Sequence, residues 1–139
     1  MRVMMFVKGD PDPGSVPSDE LLAAMGTYNE ELTKAGVLLD LAGLHPSVDG
    51  VRVRFSAGKT TVVDGPFEAK EVVGGYWILQ VKSMKEAVEW AKRVPVATVA
   101  EYHQEAEVEV RQIFELEEFG GTPAIERARE LGKDPEKKK

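Results

Sequence analysis

Residues 64–95, DGPFEAKEVVGGYWILQVKSMKEAVEWAKRVP, read as a turn, a buried strand and a capped helix in quick succession, and this order decides the fold. Asp64-Gly65-Pro66 closes the apolar run Thr61-Val62-Val63, because glycine tolerates positive φ and proline removes a ladder donor while disfavouring helix in the residue before it. Gly74-Gly75 then opens Tyr76-Trp77-Ile78-Leu79-Gln80-Val81, which is apolar at nearly every position, the pattern of a strand covered on both faces. Ser83 with Glu86 three residues on predicts a reciprocal capping box, so a helix starts at Met84. Met84, Ala87, Val88 and Ala91 form its apolar stripe with Trp90 at the flank, and Pro95 ends it.

Working outward, Val3–Val7 is a second run suited to the middle of a sheet. Residues 9–15 hold too many breakers for regular structure and read as a surface loop. Ser18 caps a helix whose stripe is Leu21, Met25, Tyr28, Leu32 and Ala35, with Gly36 stopping it. Strands follow over Val37–Leu44 and over the alternating Val51–Phe55, which turns through residues 56–59 into Thr60–Val63. Val96–Glu107 carries no clear pattern, and Val108–Phe114 is the last strand. The order β-α-β-β-β-β-α-β is a split βαβ plan with an added hairpin. It defines one domain over residues 1–119 and a charged tail over 120–139 with a short helix at 124–131.

A chain of 139 residues supports one core. Its 18 basic and 24 acidic residues, a net charge of −6, argue against a general nucleic-acid binder, which needs a basic face. The absence of cysteine excludes disulfides, thiolate metal sites and a thiol nucleophile. Met1–Lys8 is too short for a signal region with its cleavage site, and no run approaches the ~18 apolar residues of a membrane span, so the expectation is a soluble cytoplasmic protein without a membrane partner.

The residues that carry chemistry are few. His45, at a strand end before Pro46, is the candidate for proton transfer, and Asp64 the carboxylate that orients it, with Asp40 as a further choice. The blander reading makes His45 a turn residue and Asp64 the anchor of its own turn. Tyr28, Phe67, Tyr76, Trp77 and Trp90 are candidate walls of an apolar cavity, or ordinary core. Tyr76 and Trp77 must point to opposite faces, one to the helices and one away. Arg54 shares a strand face with Arg52 and suits a carboxylate ligand, though such arginines commonly form a solvated face. Neither His45 with Asp40 nor His103 with Glu101 and Glu105 has a recognised metal spacing, so no metal is expected. The paired glycines lack a nucleotide-cradle pattern and the serines a paired base, so any chemistry is expected to be cofactor-free.

The motifs Asp64-Gly65-Pro66-Phe67, Lys70-Glu71, Gly74-Gly75-Tyr76-Trp77 and Glu86-Ala87-x-Glu89-Trp90-Ala91 together resemble the DGPF proteins of the YCII-related family. The likeness extends through Tyr28–Leu32, Ala35–Leu38, Gly43–Pro46, Val51–Phe55 and Val108–Gln112, about residues 1–119, with one residue fewer than usual between Phe67 and Lys70. It implies a ferredoxin-like α+β protomer that pairs into a dimeric α/β barrel, and no established activity. A homodimer also follows from area: the two apolar strands need cover on the face away from the helices, and a second copy supplies it unless the tail folds back there. Small-molecule acid–base chemistry is the leading functional expectation. A non-catalytic ligand-binding or regulatory protein, or a structural dimer, are the alternatives.

Overall fold

The computed structural model describes residues 1–11, 14, 16–96 and 106–133. At its centre β1 (Arg2–Lys8) pairs antiparallel on one side with β5 (Val73–Gln80) and on the other with β6 (Glu107–Gln112). β5 in turn pairs antiparallel with β2 (Leu38–Gly43), giving the order β2-β5-β1-β6. The most apolar runs thus take the two middle positions, where both strand edges are hydrogen-bonded. The register sets Met5 opposite Trp77 on one side and opposite Val110 on the other. The sheet is open, and within one chain it closes no barrel.

Period-two alternation divides the sheet into two faces. Val3, Met5, Val7, Trp77 and Leu79 pack with Tyr28 and Leu32 of α1 (Asp19–Lys34) and Ala87 of α2 (Met84–Lys92). Burying each large apolar side chain contributes about 1.5–3 kcal/mol. Two polar atoms carried into this layer are satisfied: the Tyr28 hydroxyl donates to the Trp90 carbonyl at 2.8 Å, and Trp77 Nε1 donates to Asn29 Oδ1 at 2.8 Å. Burial chiefly pushes the Tyr28 phenol well above its ordinary pKa, with Arg93 pulling it down and Glu31 adding to the rise. The phenol therefore stays neutral and serves as a donor. The other face presents Met4, Phe6, Tyr76 and Ile78, of which Phe6 is buried and the rest half-buried.

α1 and α2 each begin at a serine. Ser18 Oγ accepts from the Leu21 amide and Ser83 Oγ from the Glu86 amide, each at 3.1 Å. Glu86, however, reaches past Ser83 and accepts from the Lys82 amide at 2.7 Å, so the cap is not the reciprocal box that its spacing suggests. Gly36 adopts φ 72°, the left-handed stop expected after α1. Gly74 and Gly75 lie inside β5 rather than before it, because the neighbours approach closely. A Cβ on Gly74 would stand 3.0 Å from the Gly9 carbonyl oxygen, and one on Gly75 3.0 Å from that of Ala42.

β3 (Val51–Ser56) and β4 (Lys59–Asp64) make a separate two-stranded ribbon turned through Ala57 (φ 49°) and Gly58 (φ 77°). Only Arg52 and Val63 on it are half-buried, so it forms a projecting arm. After β6 come a 3-10 turn at Leu116–Phe119 and α3 (Pro123–Lys133), a longer helix than the one expected at 124–131. His103, Glu101, Glu105 and Ser15 lie outside the described residues. No helix among the described residues is long and apolar enough to cross a membrane.

The segment after β6 is tied to the start of β1: the Ile113 amide donates to the Arg2 carbonyl at 2.9 Å, and Arg2 Nε and Nη2 donate to the two Glu115 oxygens at 3.0 and 3.2 Å. This fork holds the Glu115 carboxyl below its usual pKa, against a smaller opposing effect of burial. A depressed carboxyl pKa contributes stability above its unfolded value, and the contribution is lost as pH falls through the folded value. Urea titrations of Glu115→Gln and wild type are therefore expected to differ most above the ordinary carboxylate pKa and to converge as pH falls through the lowered folded-state value.

Candidate functional site

At the end of the sheet where β1 finishes, three chain segments meet on Ser47. β2 leads into His45-Pro46 and a single 3-10 turn, Ser47–Asp49. The Ser47 amide donates to Asp10 Oδ1 at 2.7 Å and its hydroxyl donates to Asp10 Oδ2. The same hydroxyl oxygen accepts from the Phe67 amide at 2.9 Å, and the Gly65 amide donates to the Gly50 carbonyl at 3.0 Å. The loop Asp64–Phe67, with a cis Gly65–Pro66 bond, is thus clamped onto the turn that carries His45. The approach is tight enough that a Cβ on Gly65 would lie 1.7 Å from the Ser47 carbonyl oxygen. Only glycine fits there.

His45 projects from this turn with its side chain 89% exposed, and its Nδ1 lies 3.3 Å from Asp49 Oδ2. With Nδ1 protonated the ring donates to that carboxylate, and Nε2 remains for solvent or a substrate. A contact so exposed adds at most about 1 kcal/mol to stability, so its physical effect is to orient the ring. Close by in sequence, the Arg52 guanidinium lies 3.9 Å over the Phe67 ring and 3.6 Å from Glu71, fastening the base of the arm to the loop after Phe67.

The remaining candidates are dispersed. Asp64 is exposed at the end of β4, opposite Val51, while Asp40 sits in β2 opposite Ile78 and accepts from the Leu41 amide at 2.9 Å. The carboxylate on the His45 ring is that of Asp49. Tyr28, Trp77 and Trp90 form one edge-to-face cluster between sheet and helices, with Tyr28 centroids 5.5 and 6.4 Å from the two indoles. Tyr76 is on the opposite face of the sheet beside Phe6, Phe67 is half-buried under Arg52, and Arg54 is exposed on the arm. Among the described residues no group of three or more acidic or histidine side chains is arranged to hold a metal ion. A groove of about 160 Å³ lined by Gln112, Ile113, Phe114 and Glu118 lies at the far end of β1, roughly 20 Å from Ser47 at ~3.3 Å per strand residue.

A YCII-related domain model matches residues 1–117. The chain belongs to the YCII-related family. It is also 32% identical over 75 residues to an uncharacterized protein of Rhizobium meliloti (strain 1021), an alignment covering 53% of this chain and 60% of that protein. The match therefore spans less than two thirds of the relative's own length.

In this YCII-related chain the residues that build the site are partly ones that motif reading passes over. Asp10 lies in a breaker-rich loop, and Ser47 is dismissed as a nucleophile for want of a base. Its hydroxyl is in fact committed on both sides, donating to Asp10 and accepting from Phe67. Asp49 was readable, since His-x-x-x-Asp across a short helical turn brings two side chains together. Gly65→Ala is expected to lower stability by about 1–3 kcal/mol through forced backbone displacement, whereas Gly121→Ala, with nothing within 4 Å, changes little. Paired urea midpoints measure the contrast, and equal midpoints would contradict the close approach.

Proposed function

We propose that this protein carries out cofactor-free acid–base chemistry on a small molecule, with His45 as the proton-transfer residue and Asp49 fixing its ring. The observation that carries the reading is the 3.3 Å contact between His45 Nδ1 and Asp49 Oδ2 on a turn clamped by the Asp64–Phe67 loop. A histidine held at one ring nitrogen by a carboxylate has its other nitrogen directed for proton transfer. Asp64, on the same loop, is the second carboxylate available at this end of the sheet.

The protomer is ferredoxin-like, a reading supported by the order β2-β5-β1-β6 with a helix after β1 and another after β5. Two protomers pair through the sheet faces bearing Met4, Phe6, Tyr76 and Ile78 to form a dimeric α/β barrel. Support comes from the partial exposure of three of those side chains on the face away from the described core of α1 and α2. Pairing also adds walls around His45, whose exposure in one chain is too great for a catalytic cavity.

Native mass spectrometry of gently purified protein tests both parts. The expected species is a dimer carrying a reproducible small-molecule adduct. Turnover of that molecule is expected to fall at least ~10²-fold in His45→Ala and less in Asp49→Asn. Undiminished turnover in His45→Ala would refute the assignment, and adduct retention without turnover in either protein would favour a ligand-binding role.

A further inference from the structure

We infer that the two sheets of the dimer proposed above meet about a two-fold axis running parallel to their strands, so that Asp40 of each protomer pairs with Arg111 of the other. The inference rests on that dimer and adds its symmetry, its charged contacts and the partner element that borders the His45 turn.

The strand register lays out the face. Residues directly opposite one another in an antiparallel pair point to the same side of the sheet. Asp40, Ile78, Met4 and Arg111 therefore make one row across the four strands, and Ala42, Tyr76, Phe6 and Glu109 make another on the same side. The middle of both rows is apolar, and the charges stand at the edges: Asp40 on β2, Arg111 and Glu109 on β6. Asp40 is exposed and accepts from the Leu41 amide at 2.9 Å, but among the described residues it pairs with no cation. Arg111 is 75% exposed at its side chain, and its Nε lies 4.0 Å from Glu109 Oε2, the outer limit of an ion pair. An anion at one edge and a cation at the other, with an apolar strip between, is a pattern that a second copy complements.

The charges also choose between the two symmetries open to facing sheets. An axis along the strands carries the β6 edge of one sheet over the β2 edge of the other and keeps each row over itself. Asp40 then faces Arg111 of the partner at both edges, and Glu109 faces Ala42, whose methyl leaves that carboxylate beside its own Arg111. An axis across the strands would instead lay each edge over its own copy. The two Asp40 carboxylates would approach one another along β2, which carries no basic residue, and like charges so placed destabilise. Aligned sheets pack about 10 Å apart, a gap that the long arginine stem reaches across to a carboxylate.

The same axis brings the partner to the candidate site. β2 ends at Gly43, just before His45, and β6 begins with Glu107, opposite Lys8 at that same end of the sheet. Laying the partner's β6 edge over β2 sets Glu107 of the partner above the stretch that leads into the His45 turn. Both His45 turns then lie at one end of the dimer, each walled by the first residues of the other protomer's β6.

Charge reversal tests the axis. Asp40→Lys and Arg111→Glu, both at exposed positions, are each expected to raise the dimer dissociation constant at least about tenfold in sedimentation equilibrium, with unchanged circular dichroism. A mixture of the two variants is expected to regain wild-type affinity, because in the mixed dimer both contacts join unlike charges again. Native mass spectrometry of that mixture should then show the heterodimer in excess of either homodimer. If a reversal disturbs circular dichroism, neutral variants decide instead: Asp40→Asn and Arg111→Gln together are expected to weaken the dimer no more than either alone, and additive losses overturn the pairing. A wild-type dimer whose reversed variants mix only statistically overturns the axis and the Asp40–Arg111 contact but leaves the dimer standing. A wild-type monomer at micromolar concentration overturns both.

Discussion

The double pairing of β1 is the constraint on which the rest of the structure depends. Its backbone is hydrogen-bonded along both edges, to β5 and to β6, so two strands about seventy and a hundred residues away in sequence must come to it. The helices are placed as a consequence. Val3, Met5 and Val7 project to one side, and only an apolar cover there, Tyr28 and Leu32 from α1 and Ala87 from α2, removes them from water. The aromatic cluster of Tyr28, Trp77 and Trp90 fills the space between, and the Tyr28 hydroxyl and Trp77 indole N–H find partners within the same layer.

Where β1 ends, the same strand organises the loops that meet on Ser47. Asp10 leaves the sheet two residues beyond Lys8 and grips Ser47, and Ser47 takes the amide of Phe67. The Asp-Gly-Pro-Phe motif thus acts through its backbone more than through its side chains. Gly65 is small enough to lie against a carbonyl, Pro66 turns the chain, and Phe67 gives an amide to Ser47 and a ring to Arg52. A family signature of this kind marks a structural clamp that holds His45 and Asp49 outward, and that pair lies outside the four letters.

The elements built from local patterns were legible in advance. Ser18 and Ser83 begin helices, Gly36 ends one, and the Ala57-Gly58 turn makes a hairpin, because each depends on φ/ψ preference or on a hydrogen bond spanning three or four residues. The division of Tyr76 and Trp77 between opposite faces also follows from strand periodicity, but periodicity does not say which face receives the helices. Trp77 takes that side because its indole N–H meets Asn29 of α1. Likewise Gly74 and Gly75 look like a strand boundary in the sequence, whereas their reason, close approach of Gly9 and Ala42, lies in segments remote along the chain.

The sequence by itself therefore determined the α+β class, the succession of strands and helices, the apolar runs that become central strands and the membership of Asp64–Phe67 in a recognisable pattern. Tertiary structure alone decided that Asp10, Ser47 and Phe67 share one hydrogen-bonded clamp, that Asp49 stands at the His45 ring, and that the arm and the Phe114–Phe119 surface lie at opposite ends of β1. The physical reason is range. Propensity, capping and periodicity act over a few residues, while a carboxylate's partner or a glycine's close contact is set by which distant segments the pairing of β1 draws together.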